Sequence, residues 1–84
     1  MRKPVIKIRL GSDREINLGY TSHKKAQDLM EEGGNSALFN MVADIQDSFY
    51  QNDVLLGIEV TVEGSKPFHL PCYRQPQLRN KQAA

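Results

Sequence analysis

Two short stretches near the N-terminus alternate apolar and polar residues. They cover residues 5–10 and 15–20. The positions expected to point inward are Ile6, Ile8 and Leu10 in the first stretch, and Ile16, Leu18 and Tyr20 in the second. A period of two with β-branched residues predicts half-buried strands. The four residues between them, 11–14, have turn composition, so the two strands are expected to form an antiparallel hairpin.

Helical spacing replaces this alternation over the middle of the chain. Thr21 or Ser22 can cap a first helix, which Gly33 should end because glycine accepts the left-handed backbone common after a helix. A second helix is expected after a cap at Asn35 or Ser36. Its apolar residues recur at helical intervals and predict one buried face, formed by Leu38, Met41, Val42, Ile45 and Phe49.

Alternation returns over residues 54–63, where Val54, Leu56, Ile58, Val60 and Val62 are expected to share one face. A shorter strand follows over residues 68–73, with Phe68, Leu70 and Cys72 on one side. Pro71 cannot donate a ladder hydrogen bond, so this strand is expected at a sheet edge. From Arg74 onward little can be buried, and a disordered basic tail is predicted for residues 74–84.

The order β-β-α-α-β-β predicts an α+β fold: a mostly antiparallel four-stranded sheet with both helices packed on one face. The chain of 84 residues is enough for one domain, expected over residues 1–73. The strand order stays open at this point. A thin core and an edge strand also make a homodimer a possible state.

Composition points to a globular protein of a reducing compartment. The hydrophobic fraction is 39% and the charged fraction 25%, both ordinary values. Cys72 is the only cysteine, so no intramolecular disulfide can form. Lys7 and Arg9 interrupt the N-terminal apolar stretch, and no segment has the length of a membrane span. A cytoplasmic location without membrane contact is therefore expected.

Charge is sharply divided along the chain. Residues 1–25 hold seven basic and two acidic residues, a net charge of +5, and residues 66–84 hold four basic residues and no acidic one. Residues 26–65 contain eight acidic residues and neither Lys nor Arg. Two interpretations remain: the basic ends pack against the acidic middle and neutralise it, or each sign faces a charged partner.

Candidate catalytic chemistry is sparse. His69 and Cys72 have the spacing of half a zinc site, but four ligands are usual and only His23 could add one. The segment 33–36 precedes a helix but lacks the lysine of a phosphate-binding loop. No enzyme activity, metal or cofactor is therefore expected.

The leading hypothesis is a small non-enzymatic protein-binding module that uses an acidic face. Its candidate residues are Asp44, Asp47, Tyr50, Asp53, Glu59 and Glu63. Such faces steer association and select partners. A lone small domain with charged faces and no catalytic set resembles the short accessory proteins of bacteriophages and other mobile elements. That resemblance implies an inhibitor or accessory regulator of a larger machine, with a machine that handles nucleic acid as one candidate.

The alternative hypothesis is direct nucleic-acid binding by the basic N-terminal hairpin and the C-terminal tail. The candidate residues are Lys7, Arg9, Arg14, Tyr73, Arg74, Arg79 and Lys81. Their cations could follow a phosphate backbone, and Tyr73 could stack on a base. If the first and fourth strands were neighbours, Lys7, Arg9, His69 and Tyr73 would share one sheet face.

Overall fold

The computed structural model describes residues 3–77 and confirms the predicted α+β class and element order. The strands are β1 (Val5–Leu10), β2 (Arg14–Tyr20), β3 (Leu55–Thr61) and β4 (Phe68–Arg74). The helices are α1 (His23–Glu32) and α2 (Ala37–Phe49). A single 3-10 turn over Gly33–Asn35 joins the two helices.

All strand neighbours in the sheet are antiparallel, and the strand order is β2-β1-β3-β4. Both helices pack on one face, and the core between them and the sheet consists of Ile6, Ile8, Leu10, Ala26, Leu29, Leu38, Val42, Leu55, Ile58 and Val60. The opposite face is called the open face here. It carries Lys7, Arg9, Glu15, Glu59, His69 and Tyr73. The hydrophobic effect thus acts on one side of the sheet only.

Serine side chains fix both helix starts, as the sequence predicts. The Ser22 hydroxyl accepts a hydrogen bond from the Lys25 N–H at 3.1 Å. The Ser36 hydroxyl accepts from the Phe39 N–H at 3.1 Å and donates to the Gly33 carbonyl at 2.8 Å. Gly33 follows α1 with a φ of 55°, the left-handed conformation that glycine favours. The turn between the helices is thereby held from both sides.

The expected inward position of Tyr20 is wrong, because a β-bulge interrupts β2. Lys7 pairs with Asn17 but Ile6 pairs with Gly19, which leaves Leu18 as an extra residue. The Asn17 side-chain oxygen accepts from the Gly19 N–H at 2.7 Å, and Gly19 has a φ of 98°. The insertion reverses the alternation, so Tyr20 is 70% exposed.

The predicted alternation of β3 fails at its start for the same physical reason. The pairing of β3 shifts register at Leu56 against both of its neighbours. Leu55, which the alternation places outward, is fully buried and pairs with Leu10. Leu56 is only half-buried. From Ile58 onward the predicted alternation holds.

The buried face of α2 is rotated from the predicted one. Leu38 and Val42 are buried as expected, but Phe49 is 77% exposed. Gln46 and Asp47 are buried in its place, because partners on β4 satisfy their polar groups. Burial of polar side chains costs little once they are hydrogen-bonded.

β4 ends one residue later than the strand predicted over residues 68–73. β4 lies at a sheet edge and shows the expected alternation, but it includes Arg74, which therefore belongs to the sheet. Residues 75–77 continue along α2, where the Gln77 N–H donates to Asp47. The rest of the predicted tail, with Arg79 and Lys81, lies outside the described residues. Within residues 3–77 no helix is long and apolar enough to cross a membrane.

Candidate functional site

A buried polar network joins α2 to β4. The Arg74 guanidinium donates two hydrogen bonds to the Asp47 carboxylate, at 2.8 and 3.1 Å, and a third to the Gln46 side-chain oxygen at 2.6 Å. The Gln46 amide donates to the backbone carbonyls of Arg74 at 2.9 Å and Asp53 at 3.0 Å. The polar side-chain atoms of Asp47 and Gln46 thus all have a charged or backbone partner, which is the condition for burying them stably.

Two pKa values are shifted at and beside this network. The hydrogen bond to Asp47 is the main reason that the pKa of Arg74 lies above its ordinary value. Partial burial raises the pKa of the neighbouring Cys72 thiol, and the Arg74 charge opposes that rise. Arg74 is therefore a permanent cation with a structural role, and the thiol stays protonated at neutral pH.

An exposed aromatic cluster lies where α2 ends. The Arg14 guanidinium lies 5.7 Å from the centre of the Tyr50 ring, within cation–π range, and its Nη1 is 3.3 Å from a carboxylate oxygen of Asp53. Phe49 projects beside them and borders a cleft of about 400 Å³. This surface is called the aromatic end, and it comprises Ser12, Arg14, Phe49, Tyr50, Gln51, Asn52 and Asp53.

The six residues of the predicted acidic face do not form one surface. Asp47 is buried against Arg74, and Glu59 lies on the open face, on the far side of the sheet from the helices. Glu63 is exposed in the turn after β3, and Asp44 is exposed on α2. Only Tyr50 and Asp53 come together, at the aromatic end, and they do so around Arg14, which the sequence assigned to the competing hypothesis.

Among residues 3–77, three of the four predicted nucleic-acid-binding cations lie beside carboxylates. Arg9 lies 3.7 Å from Glu15 on the open face, Arg14 pairs with Asp53, and Arg74 pairs with Asp47. β3 separates β1 from β4, so the first and fourth strands, whose adjacency the sequence left open, are not neighbours. These pairs leave less positive charge for phosphates.

The open face nevertheless brings predicted residues into one row. Lys7 is opposite Glu59, which is opposite His69. The His69 ring lies over Gly57, where a Cβ would be 3.0 Å from its Cε1 atom. Tyr73, on the same strand as His69, is 71% exposed. The row places the Glu59 carboxylate between Lys7 and His69, which makes it a poor track for a polyanion.

An apolar groove that the sequence did not indicate lies between α1 and the β3–β4 hairpin. It has a volume of about 640 Å³, and its apolar lining residues are Ala26, Met30, Val62, Pro67 and Phe68.

The exposure of Phe49 was also missed by the sequence analysis, since Phe49 continues the apolar spacing of α2. The available signal was its position in the last turn before the polar Gln51 and Asn52.

Within residues 3–77 no group of three or more His, Cys, Asp or Glu side chains could hold a metal ion. Comparison of the chain with protein-family models, curated proteins and solved structures finds no match. The function must therefore be argued from the surfaces of this chain alone.

Proposed function

We propose that this chain is a small non-enzymatic protein-binding module that contacts its partner through the aromatic end. The observation that supports this is the exposure of Phe49, at 77%, beside an Arg14 that two neighbours hold in place. We further propose that the module acts as an inhibitor or accessory regulator of a larger machine in the cytoplasm. The single cysteine, Cys72, supports a reducing compartment.

The energetics of the aromatic end suit an interface. Burying a phenylalanine side chain contributes about 1.5–3 kcal/mol, and this contribution is unused while Phe49 stays in water. Aromatic residues and arginine are also the types enriched at interface hot spots. Because Tyr50 and Asp53 already restrict Arg14, its side chain loses less conformational entropy on binding than a free arginine would.

The aromatic end favours a partner of matching shape and polarity. It should offer an apolar pocket for Phe49, rimmed by polar groups that reach Arg14 and the amides of Gln51 and Asn52. Because Arg14 and Asp53 neutralise each other, the rim needs no strong charge of either sign. This differs from the sequence-based expectation, in which a basic partner surface meets an acidic face.

The first test is a tagged pull-down from source-cell extract after nuclease treatment, with the retained protein identified by mass spectrometry and then purified. Calorimetry on the purified pair compares the wild type with Phe49→Ala and Met30→Ala. Met30 is an exposed apolar residue of similar size that lies in the α1 groove, away from the aromatic end. We expect Phe49→Ala to weaken binding by about 2 kcal/mol or more, the range of a hot spot, and Met30→Ala to leave it unchanged.

Equal affinities of the wild type and Phe49→Ala, with both chains folded by circular dichroism, would remove the aromatic end as the interface. A set of proteins released together by nuclease would instead favour the nucleic-acid alternative. Affinity would then fall with salt, with a log–log slope of about −0.7 to −0.9 per phosphate contacted.

A further inference from the structure

A second exposed cleft lies at the opposite end of the sheet from the aromatic end. Its lining residues are Lys3, Tyr20, Thr21, Ser22, Lys25 and Met41, and its volume is about 290 Å³. Tyr20 pairs with Val5 at the start of β1, whereas Arg14 of the aromatic end pairs with Leu10 at its finish. The two surfaces are therefore separated by the full length of β1. This second surface is called the basic cleft.

The apolar surface of the basic cleft depends on the β-bulge in β2. Tyr20 is 70% exposed because the bulge at Leu18 and Gly19 turns it away from the core, and Met41 beside it is 38% exposed. A regular β2 would continue the alternation and place Tyr20 among core residues. Bulges re-aim single side chains in this way, and they are frequent next to functional sites.

The charged side chains of the basic cleft are positive, and no carboxylate neutralises them within residues 3–77. Lys3 and Lys25 are the ionisable lining residues besides Tyr20, and no acidic side chain lines the cleft. Within residues 3–77 neither lysine forms an ion pair, whereas the adjacent Lys24 lies 3.4 Å from Asp28. This contrasts with Arg9, Arg14 and Arg74, each of which is paired with a carboxylate. Two unpaired cations beside exposed apolar surface therefore favour an anionic occupant with an apolar component.

We propose that the basic cleft binds an acidic segment of a partner protein, with an apolar side chain of that segment packed on Tyr20 and Met41. Carboxylates of the segment then face Lys3 and Lys25, so the charges are complementary. The flexible thioether of Met41 adapts to different apolar side chains, as methionines do at peptide-binding surfaces. A concave cleft with a thioether suits a peptide chain better than a phosphate backbone or a flat bilayer.

The test uses two fluorescein-labelled twelve-residue peptides in 50 mM salt, one of repeating Glu-Glu-Leu and one of glutamate alone, read by fluorescence anisotropy. The full-length wild type is compared with Lys25→Glu, Tyr20→Ala and the charge-matched control Lys66→Glu, whose residue lines the α1 groove instead. Lys25→Glu puts an acid into the first turn of α1, where acids favour the helix, and circular dichroism checks that each variant is folded.

We expect the leucine-containing peptide to bind more tightly than polyglutamate. Lys25→Glu and Tyr20→Ala should each weaken it by about tenfold, equivalent to 1.4 kcal/mol, while Lys66→Glu changes affinity less than threefold. Amide chemical shifts of the wild type should move at Tyr20, Ser22 and Lys25. Equal affinity for both peptides, equal losses in Lys25→Glu and Lys66→Glu, or no binding at all would overturn the proposal. So would binding of a single-stranded oligonucleotide or phosphatidylserine vesicles in preference to the peptide.

Discussion

At the residue scale, Asp47 decides how the end of the described chain is held. Asp47 is 5% exposed, and its carboxylate accepts hydrogen bonds from the Arg74 guanidinium and from the Gln77 N–H, each at 2.8 Å. Removing water from a charge is costly, and the cost is recovered only if every partner stays in place. The Asp47–Arg74 ion pair therefore holds β4 against α2. Because Asp47 is buried in this contact, it cannot also contact another protein.

Loss of the Asp47 carboxylate should strongly destabilise the fold. Asp47→Ala leaves the Arg74 guanidinium without its anion, and we expect a loss of about 3–5 kcal/mol in the free energy of unfolding. Urea denaturation measures it. The double variant Asp47→Leu with Arg74→Met removes both charges, so it should be more stable than Asp47→Ala alone. If the single and double variants unfold at the same urea concentration, the pair does not act as described.

At the element scale, the β2 bulge shows how one extra residue changes a surface. Asn17 and Gly19 hold the bulge through a side-chain hydrogen bond of 2.7 Å and a φ of 98° that other residues resist. The element keeps Ile16 packed on the core while it turns Tyr20 to solvent. The packing of the hairpin and the exposure of the basic cleft therefore depend on the same residue, Gly19.

Substitution of Gly19 tests that dependence. A Cβ at Gly19 meets no atom within 4 Å, so Gly19→Ala isolates the backbone conformation from any steric clash. We expect a loss of about 1–2 kcal/mol in stability, since an L-residue resists this φ. Gly34→Ala is the matched control, because Gly34 also has open space but no positive φ, and it should be neutral or slightly stabilising. Equal unfolding midpoints for the two variants would contradict this account.

Sequence periodicity predicted each helix and strand, but it did not always predict which residues of an element face the core. Alternation located the faces of β1 and β4 correctly, because burial alternates from residue to residue along the whole of each strand. It failed at Tyr20 and Leu55, since a bulge leaves no trace in a count of alternate positions. In α2, helical spacing placed Phe49 in the core. The structure buries Asp47 instead, because Asp47 pairs with Arg74, and no local pattern can show a partner that lies 27 residues away.

At the scale of the whole molecule, folding joins the basic ends to the acidic middle. Arg14 from the N-terminal segment pairs with Asp53, and Arg74 from the C-terminal segment pairs with Asp47. Both contacts lie near the C-terminal end of α2, and they involve residues of both edge strands of the sheet. The sequence left neutralisation and separate charged partners as alternatives. The structure supports neutralisation at these two contacts and leaves uncompensated charge in the basic cleft.

This neutralisation predicts weak binding to nucleic acid. Proteins that bind DNA without sequence preference do so with a Kd of about 10⁻⁴ to 10⁻⁶ M at physiological salt, and they owe that affinity to cations free to contact phosphates. With Arg9, Arg14 and Arg74 paired to carboxylates, we expect the full chain to bind a twenty-nucleotide single strand more weakly than this range. Fluorescence anisotropy over a salt series measures both the affinity and the slope of log affinity against log salt concentration.

A slope of about −3 or steeper, reduced in magnitude by Lys7→Ala or Arg9→Ala, would mean about four phosphate contacts through the open face. The ion pairs would then be exchangeable with phosphates, and the nucleic-acid alternative would displace the protein-binding proposal.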